Sequence, residues 1–412
     1  MQDLLTETGI IPAHKTCSDH GIPYVKISGF GIPSRGPGIW KFNNNLLEDL
    51  TFRTEMQTKI PIWTLEAETD LPDNAGAQWG FIKHKMGEFS REYGAKIKKA
   101  KLLIKSNLEK EIQTLSRNLS ETNKLEYLSL QMQLNEIIEN EIKGSILRSL
   151  CHEYEEGEKC NKYFFSLEKF RSKQKTLSRI QLSDGSFTSD EKKILNECRL
   201  FYKHLYSENE NVNPDAFPYF FQDLNTPKLT EEQKQFCELD LTEKEVFDTL
   251  KTFSKNKSPG LDGITAEFYL QFWDYLKIKL LKVYADSFVM GILPESLRTG
   301  VVTLLEKKGK DRLDITNCRP ITLLNIDYKL LTKTLGQRLK TVLPSLIHKD
   351  QNGLVPGGSI FFSSHTVRDI LFYFKKENLD LILLALDYTK AFDSINLDFV
   401  HKTFAFLTLV KI

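Results

Sequence analysis

The rhythm of hydrophobic and polar positions changes several times along this chain, and each change predicts a different element. Over the first thirty residues the alternation is weak, and Ile22, Tyr24, Val25 and Ile27 fit one short strand. Gly29, Gly31, Pro33, Gly36, Pro37 and Gly38 then make a breaker-rich linker, after which Ile39 to Asp49 predicts the start of a helix. From about Trp79 to Leu150 the pattern is long, polar and helical, with Leu134, Ile138, Ile142 and Ile146 four apart on one face. Asn and Ser near residues 106 and 118–123 divide it into at least two helices, read either as an antiparallel hairpin or as a coiled coil without strict heptads. Ser178 to Phe187, centred on Asp184-Gly185, predicts a β-hairpin. Asn209 to Thr226 reads as a loop, and Thr242 with Glu245 three positions on reads as a capping box. Helices are predicted over Leu280–Met290 and Ile326–Val342, and a strand over Gly300–Glu306. The apolar run Leu381 to Leu386 predicts a buried strand ending on Asp387, and Lys390 to Asp393 a turn into a following helix.

Composition narrows the class. The 412 residues suffice for two or three domains, and 41% hydrophobic with 27% charged residues is ordinary for a globular protein. No run approaches the roughly 18 consecutive apolar residues of a membrane span. The N-terminus has neither the basic nor the apolar region of a signal peptide. These features point to an intracellular protein of the cytoplasm and nucleus, with no membrane partner. Cys17, Cys151, Cys160, Cys198, Cys237 and Cys318 include no Cys-x-x-Cys pair, so they read as free thiols in a reducing compartment. Net charge is only +1, but nine Lys/Arg face three Asp/Glu from Lys83 to Lys110, and seven face one from Lys159 to Arg179. Each cluster reads equally as a phosphate-binding footprint or as a solvated helix face.

Two stretches carry chemistry. In Lys257-Ser258-Pro259-Gly260-Leu261-Asp262-Gly263-Ile264 a proline and two glycines fix a tight loop able to approach phosphate or backbone closely. In Leu384-Ala-Leu-Asp387-Tyr-Thr-Lys-Ala-Phe392-Asp-Ser-Ile395 a carboxylate at the end of an apolar run is costly to bury unless it is paired or binds a metal. Tyr284-Ala285-Asp286-Ser287 mimics a second such carboxylate motif, but it lies within a helical pattern and is discounted.

Together Ser258–Ile264, Asn317–Asn325, Gln351–Ser359 and Leu384–Ile395 follow the order and rough spacing of LINE-type non-LTR retrotransposon reverse transcriptases, and the chain resembles that family. Gly36–Asn43 is similar to the junction after the endonuclease of LINE polyproteins, Gly157–Glu168 to their helical linker, and Ser18-Asp19-His20 to the tail of the apurinic-type endonuclease. Group II intron maturases and telomerase are more distant likenesses. The resemblance implies an α+β architecture: a long helical linker followed by the fingers and partial palm of a right-hand polymerase fold. It divides the chain into an endonuclease remnant (1–30), linker and long helices (31–175), a hairpin and helices leading into the fingers (176–250), and fingers with an incomplete palm (251–412). The implied reaction is RNA-directed DNA synthesis from dNTPs on an RNA template and a DNA primer, with Mg²⁺ as the family's ion.

The same resemblance assigns roles. Asp387 is the catalytic and metal-binding carboxylate, helped by the backbone carbonyl of Tyr388. Phe392 is the bulky residue under the sugar, and Arg319 grips the triphosphate. Gln351, Gly353, Lys307 and Lys308 border the nucleotide. Lys310, Pro356 and Gly357 contact nucleic acid, while Asp19 and His20 are endonuclease relics without their metal site. The family often has Arg where Gly358 stands, so one phosphate or template contact is missing. The second carboxylate motif and the thumb are expected beyond Ile412, so residues 1–412 alone are expected to be inactive. The alternative is a non-catalytic RNA- or DNA-binding remnant.

Overall fold

The computed structural model describes residues 5–11, 22–27, 38–117, 120, 122–149, 177, 179–207, 216–222, 224, 226–307, 309–311, 313–353, 355–388, 392–393 and 395–408. Among the described residues helices dominate, α4 (Glu191–Tyr206), α10 (Glu295–Arg298) and α12 (Ile360–Lys376) included, with three two-stranded sheets, consistent with an α+β class. The chain forms two compact units, each discontinuous in sequence: Met1–Leu46, Gly87–Ile194 and Thr303–Ile321 in one, and Leu47–Met86, Leu195–Val302 and Thr322–Ile412 in the other.

In the first unit, β1 (Leu5–Ile11) pairs antiparallel with β2 (Ile22–Ile27), with Ile11 opposite Ile22 and an irregularity between Leu5 and Glu7. The weak alternation revealed only the second of these strands. The hairpin of β3 (Ile180–Gln181) and β4 (Phe187–Thr188) forms as the Asp-Gly turn predicts. Gly185 takes φ +83°, and Asp184 accepts the Ser186 N–H at 2.8 Å, so both turn residues do what their chemistry allows. The Gln181 N–H continues to the Leu313 carbonyl at 2.8 Å, which anchors the hairpin to the loop between the later strands β5 (Gly300–Glu306) and β6 (Cys318–Leu324).

The long polar stretch is helical as expected. It forms α2 (Ala75–Arg117) and α3 (Lys124–Ser149), parted by a turn in which the Asn123 side chain accepts the Ser120 N–H at 2.8 Å. The break near residue 106 does not occur. A single Ser-Asn pair costs a few tenths of a kcal/mol in helix propensity, about what the flanking Leu and Lys residues recover.

In the second unit, α1 (Leu50–Asp70) starts on Asp49, whose carboxylate accepts the Thr51 and Phe52 N–H groups. A short 3₁₀ turn, Asn44–Glu48, precedes it. Phe52, Met56 and Ile60, four apart, are fully buried on its inner face. They belong to a core with Trp79, Ile82 and Met86 from the start of α2 and with Phe268, Phe272, Leu276, Leu280 and Val283. Phe268 comes from α8 (Ala266–Gln271), Phe272 is the residue joining it to α9 (Trp273–Met290), and the last three come from α9, which absorbs the Tyr284–Ser287 mimic as a helix.

Thr242 caps α7 (Glu243–Lys251), as its sequence predicts, by accepting the Glu245 N–H at 3.2 Å. The Glu245 carboxylate does not close the box. It takes both ends of the buried Arg338 guanidinium, from α11 (Ile326–Leu346), at 2.7 Å each. The full reciprocal box lies one helix earlier, between Thr230 and Gln233 at the start of α6 (Glu231–Glu238). Arg338 also donates to the carbonyls of Cys237, Leu239 and Asp240, so one fork satisfies the whole connection between α6 and α7.

Two further expectations are corrected. The loop over 209–226 contains α5 (Ala216–Gln222), whose Phe217, Phe220 and Phe221 gather around Phe399, giving it an aromatic partner the local sequence does not show. The run Leu381 to Leu386 is not a buried strand. It has no ladder, and Ile382 is 91% exposed. Its backbone finds no neighbouring strand among the described residues, and an apolar sequence alone does not hold a strand. The next helix starts not at the turn around Asp393 but at α13 (Leu397–Phe406), capped by Asn396. Asp393 instead accepts the Tyr206 hydroxyl at 2.9 Å.

Replacing Arg338 by Ala leaves Glu245 and three carbonyls unpaired and should destabilise the second unit by about 3–5 kcal/mol. Urea unfolding followed by tryptophan fluorescence measures it, and a loss below about 1 kcal/mol would contradict this role.

Candidate functional site

The Pro-Gly loop that the sequence singles out is built around two side chains it does not touch in sequence. Gly260 is pressed against the start of α11: a Cβ there would lie 2.2 Å from the Asn325 Oδ1 and 2.3 Å from the Asn325 N, so no larger residue fits. The Asn325 side chain accepts the Asp262 N–H at 3.2 Å and donates to the Ser296 carbonyl at 2.7 Å, holding the loop and the turn before β5 together. Asp262 then accepts the Ile264 N–H at 3.0 Å and presents its other oxygen to Lys83 at 3.1 Å.

Lys83, from the first turns of α2, is the centre of a buried charge cluster. Its ammonium donates to Asp327 at 2.7 Å as well as to Asp262, and the Asp327 side chain is wholly buried. The Trp79 indole N–H reaches the same Asp327 oxygen at 2.8 Å, and the Tyr284 hydroxyl donates to the Asp327 carbonyl at 2.7 Å. Burial works against the charged form of Lys83, but the two carboxylates outweigh it and hold its pKa above the ordinary lysine value. For Asp262 burial is the largest effect and Asp327 adds to it, so its pKa is raised despite Lys83. Burial also pushes the Tyr269 and Tyr284 hydroxyls well above the usual phenol range. Two carboxylates around one ammonium leave a net negative charge, which adds to the upward pressure on the Asp262 carboxyl.

The sequence motifs contain Asp262 and Asn325, whereas Lys83 lies within a lysine-rich stretch and Asp327 belongs to no motif. The available signal was an acid set among Ile326, Leu330 and Leu331, where a lone carboxylate needs a partner. The cluster is a fastening with no outlet for chemistry.

The residues assigned by resemblance lie elsewhere. Lys307 donates its backbone N–H to the Asn317 carbonyl at 3.0 Å and stands at the end of β5, with Lys310 exposed in the turn after it. Arg319 is exposed on β6, with no ion pair to any described residue. In the other unit Gln351, Pro356 and Gly357 line a cavity of about 360 Å³ together with Asn352, Gly358 and Phe362, and Gln351 donates to the Gly353 carbonyl at 3.4 Å. Gly357 needs its φ of +83° for this loop, and a Cβ at Gly358 would stand 2.5 Å from the Asn352 carbonyl oxygen. The arginine common in the family therefore could not be accommodated with this loop conformation. Asp387, Tyr388 and Phe392 are exposed, the last two at 84% and 88%. Lys308, Asp19 and His20 lie outside the described residues. No group of three His, Cys, Asp or Glu side chains able to hold a metal occurs among the described residues. None of their helices is long and apolar enough to cross a membrane.

Residues 305–412, which include Arg319, the cavity loop and Asp387, match the family described as reverse transcriptase (RNA-dependent DNA polymerase). The chain is also 33% identical over 361 residues to the Transposon TX1 uncharacterized 149 kDa protein of Xenopus laevis. Both findings support a LINE-type non-LTR retrotransposon polyprotein with a reverse transcriptase. The alignment takes in 87% of this chain and 27% of the Xenopus protein, so the chain spans roughly a quarter of that relative. The likeness reaches well upstream of the polymerase match, and in this chain the charge cluster joins the upstream helix α2 to α11 within the matched segment.

The raised pKa of Asp262 gives a signed prediction. Between the ordinary carboxylate value and the raised one, the folded state holds a proton that the unfolded chain has released, so this group's contribution to stability falls as pH rises through that window. Denaturation midpoints measured from pH 4 to 7 should therefore diverge between the natural chain and D262A, and parallel profiles would contradict the assignment.

Proposed function

We propose that this chain supplies part of an RNA-directed DNA polymerase, with fingers and palm residues over 251–412. Residues 176–250 lead into it, 31–175 form the helical linker, and 1–30 resemble the tail of an apurinic-type endonuclease. The observation that carries this reading is the reverse transcriptase match over 305–412, which runs through Arg319, Gln351 and Asp387 in the order the sequence motifs require. RNA template, DNA primer and dNTP are the proposed partners. The exposed, unpaired guanidinium of Arg319 is free to make bidentate contacts to a triphosphate, which a lysine would reproduce poorly. Lys307 and Lys308 border the same phosphates. Gln351 and Gly353 belong to the nucleotide pocket, and Lys310, Pro356 and Gly357 to the nucleic-acid track. Phe392 would lie under the sugar, where its bulk disfavours a 2′-hydroxyl.

Magnesium prefers several hard oxygen ligands, and the family's ions would need more than one carboxylate. Asp387, with the Tyr388 carbonyl, is the only such donor assigned here. It is exposed, and no second acidic group is gathered around it among the described residues. The donor set present among the described residues does not fit a catalytic pair of ions. The reading for residues 1–412 taken alone is therefore binding without nucleotide addition.

Purified residues 1–412 should bind a primed RNA template without extending it. A chimaera carrying the region of the Xenopus protein that follows the aligned stretch should extend the primer. D387N should reduce that extension to background, and R319A should lower it about 10²–10³-fold. Extension by the chimaera that is indifferent to Asp387 would overturn the reading.

A further inference from the structure

Helix α2 is packed at both ends and bare in the middle. Trp79, Ile82, Met86 and Ser90 are buried near its start, and Leu108 and Ile112 near its end. From Ala95 to Ile104 every residue is exposed except the half-buried Ile97, and Tyr93, Gly94, Lys105 and Ser106 on either side are half-buried. No carboxylate occurs from Tyr93 to Leu108, a stretch holding five lysines. Lys96, Lys98, Lys99 and Lys101 make no ion pair or hydrogen bond with any described residue. The helix persists there because Ala, Lys and Leu have high helix propensity, so an uncovered, uncompensated cationic rod is held in a single conformation.

We propose that this middle stretch of α2 is a binding surface for duplex DNA, seated along a groove and contacting the phosphates on both sides. At about 100° per residue, Lys98 and Lys101 share one flank, and Lys96 and Lys99 share another roughly 160° away. Two positive flanks on one rod match the two phosphate rows that border a groove. The B-form major groove, about 12 Å wide, admits an α-helix, whereas the deep, narrow major groove of A-form RNA does not. A single strand fits less well, because no aromatic residue occurs from Gly94 to Arg117 on which bases could stack. A membrane surface fits less well too. The consecutive Leu102, Leu103 and Ile104, 53–63% exposed, are spread around the helix and make no single apolar face. The contact carries no base readout, since lysines on phosphates position without specifying sequence. The inference does not rest on the polymerase reading, because α2 lies outside residues 305–412 and its test needs no nucleotide addition.

The test is fluorescence anisotropy of residues 1–412 with a labelled 20-base-pair DNA duplex across a salt series. Parallel titrations use single-stranded RNA, duplex RNA and vesicles containing phosphatidylserine. Replacing Lys96, Lys98, Lys99 and Lys101 together by Gln should flatten the log–log salt slope for duplex DNA by about 3–4, at about 0.9 per phosphate contact, and weaken binding at least tenfold at ~0.1 M salt. Arg at all four positions should restore the slope. If the fourfold variant loses helical circular dichroism, the pair K96Q and K98Q should flatten the slope about half as much. An unchanged slope for duplex DNA, a larger loss of slope with either RNA than with duplex DNA in the fourfold variant, or loss of vesicle binding with duplex binding intact would each overturn the proposal.

Discussion

A lysine held between two buried carboxylates is the constraint on which the second unit depends. The Lys83 ammonium stands 2.7 Å from Asp327 and 3.1 Å from Asp262, partners 244 and 179 residues away in sequence. Removing three charges from water costs several kcal/mol each, and here that cost is offset only because every group finds more than one partner. Trp79 and Tyr284 complete the shell around Asp327, and the Ile264 N–H does so for Asp262. Such a cluster stabilises little compared with an apolar core of the same volume. What it does is specify one arrangement, since a slip of any member leaves a charge buried and alone. Through it the start of α2, the Pro-Gly loop and the start of α11 have one mutual geometry.

The Pro-Gly loop and helix α11 take their places in the second unit from that geometry. Asn325 uses its side chain to tie the loop at Gly260 and Asp262 to Ser296, just before the strand that leads to Lys307. Arg338, two-thirds of the way along the same helix, locks the α6–α7 connection, and the helix ends at the cavity loop containing Gln351, Pro356 and Gly357. Each fastening is a charged or amide side chain meeting backbone groups of loops and helix ends, which explains how short irregular segments are held without a large sheet. Asp387 has no comparable support. Its segment is apolar, exposed and without a ladder, and the catalytic role assigned to it depends on groups beyond those gathered here.

How much of this could be read from the sequence depended on how local the determinant was. The Asp184-Gly185 hairpin, the Thr242 cap and helices α2 and α11 follow from turn chemistry, capping and periodicity within a few residues. The four motifs identified the family because order and spacing survive when contacts are unknown. The Lys83 cluster was hidden because its members are far apart and Lys83 sits within a run of surface lysines. Strand β1 was missed because its pairing with β2 is strengthened across the sheet and not by its own alternation. The run Leu381–Leu386 shows the opposite failure: a strongly strand-like composition that no neighbour in the described structure completes. Local pattern proposes an element, and only a partner makes it.

Through the Lys83 cluster the start of α2, the Pro-Gly loop and the start of α11 form one cooperative body. Native-state hydrogen exchange tests it directly, with the amides of Ile82 and Lys83 set beside those of Ile264 and of Lys329 to Leu331. If the claim holds, all of them exchange through one opening, with the same free energy and the same dependence on low denaturant. If the amides of Ile82 and Lys83 open at markedly lower free energy while those of Ile264 and α11 stay protected, the long helix is an appendage and the account is wrong.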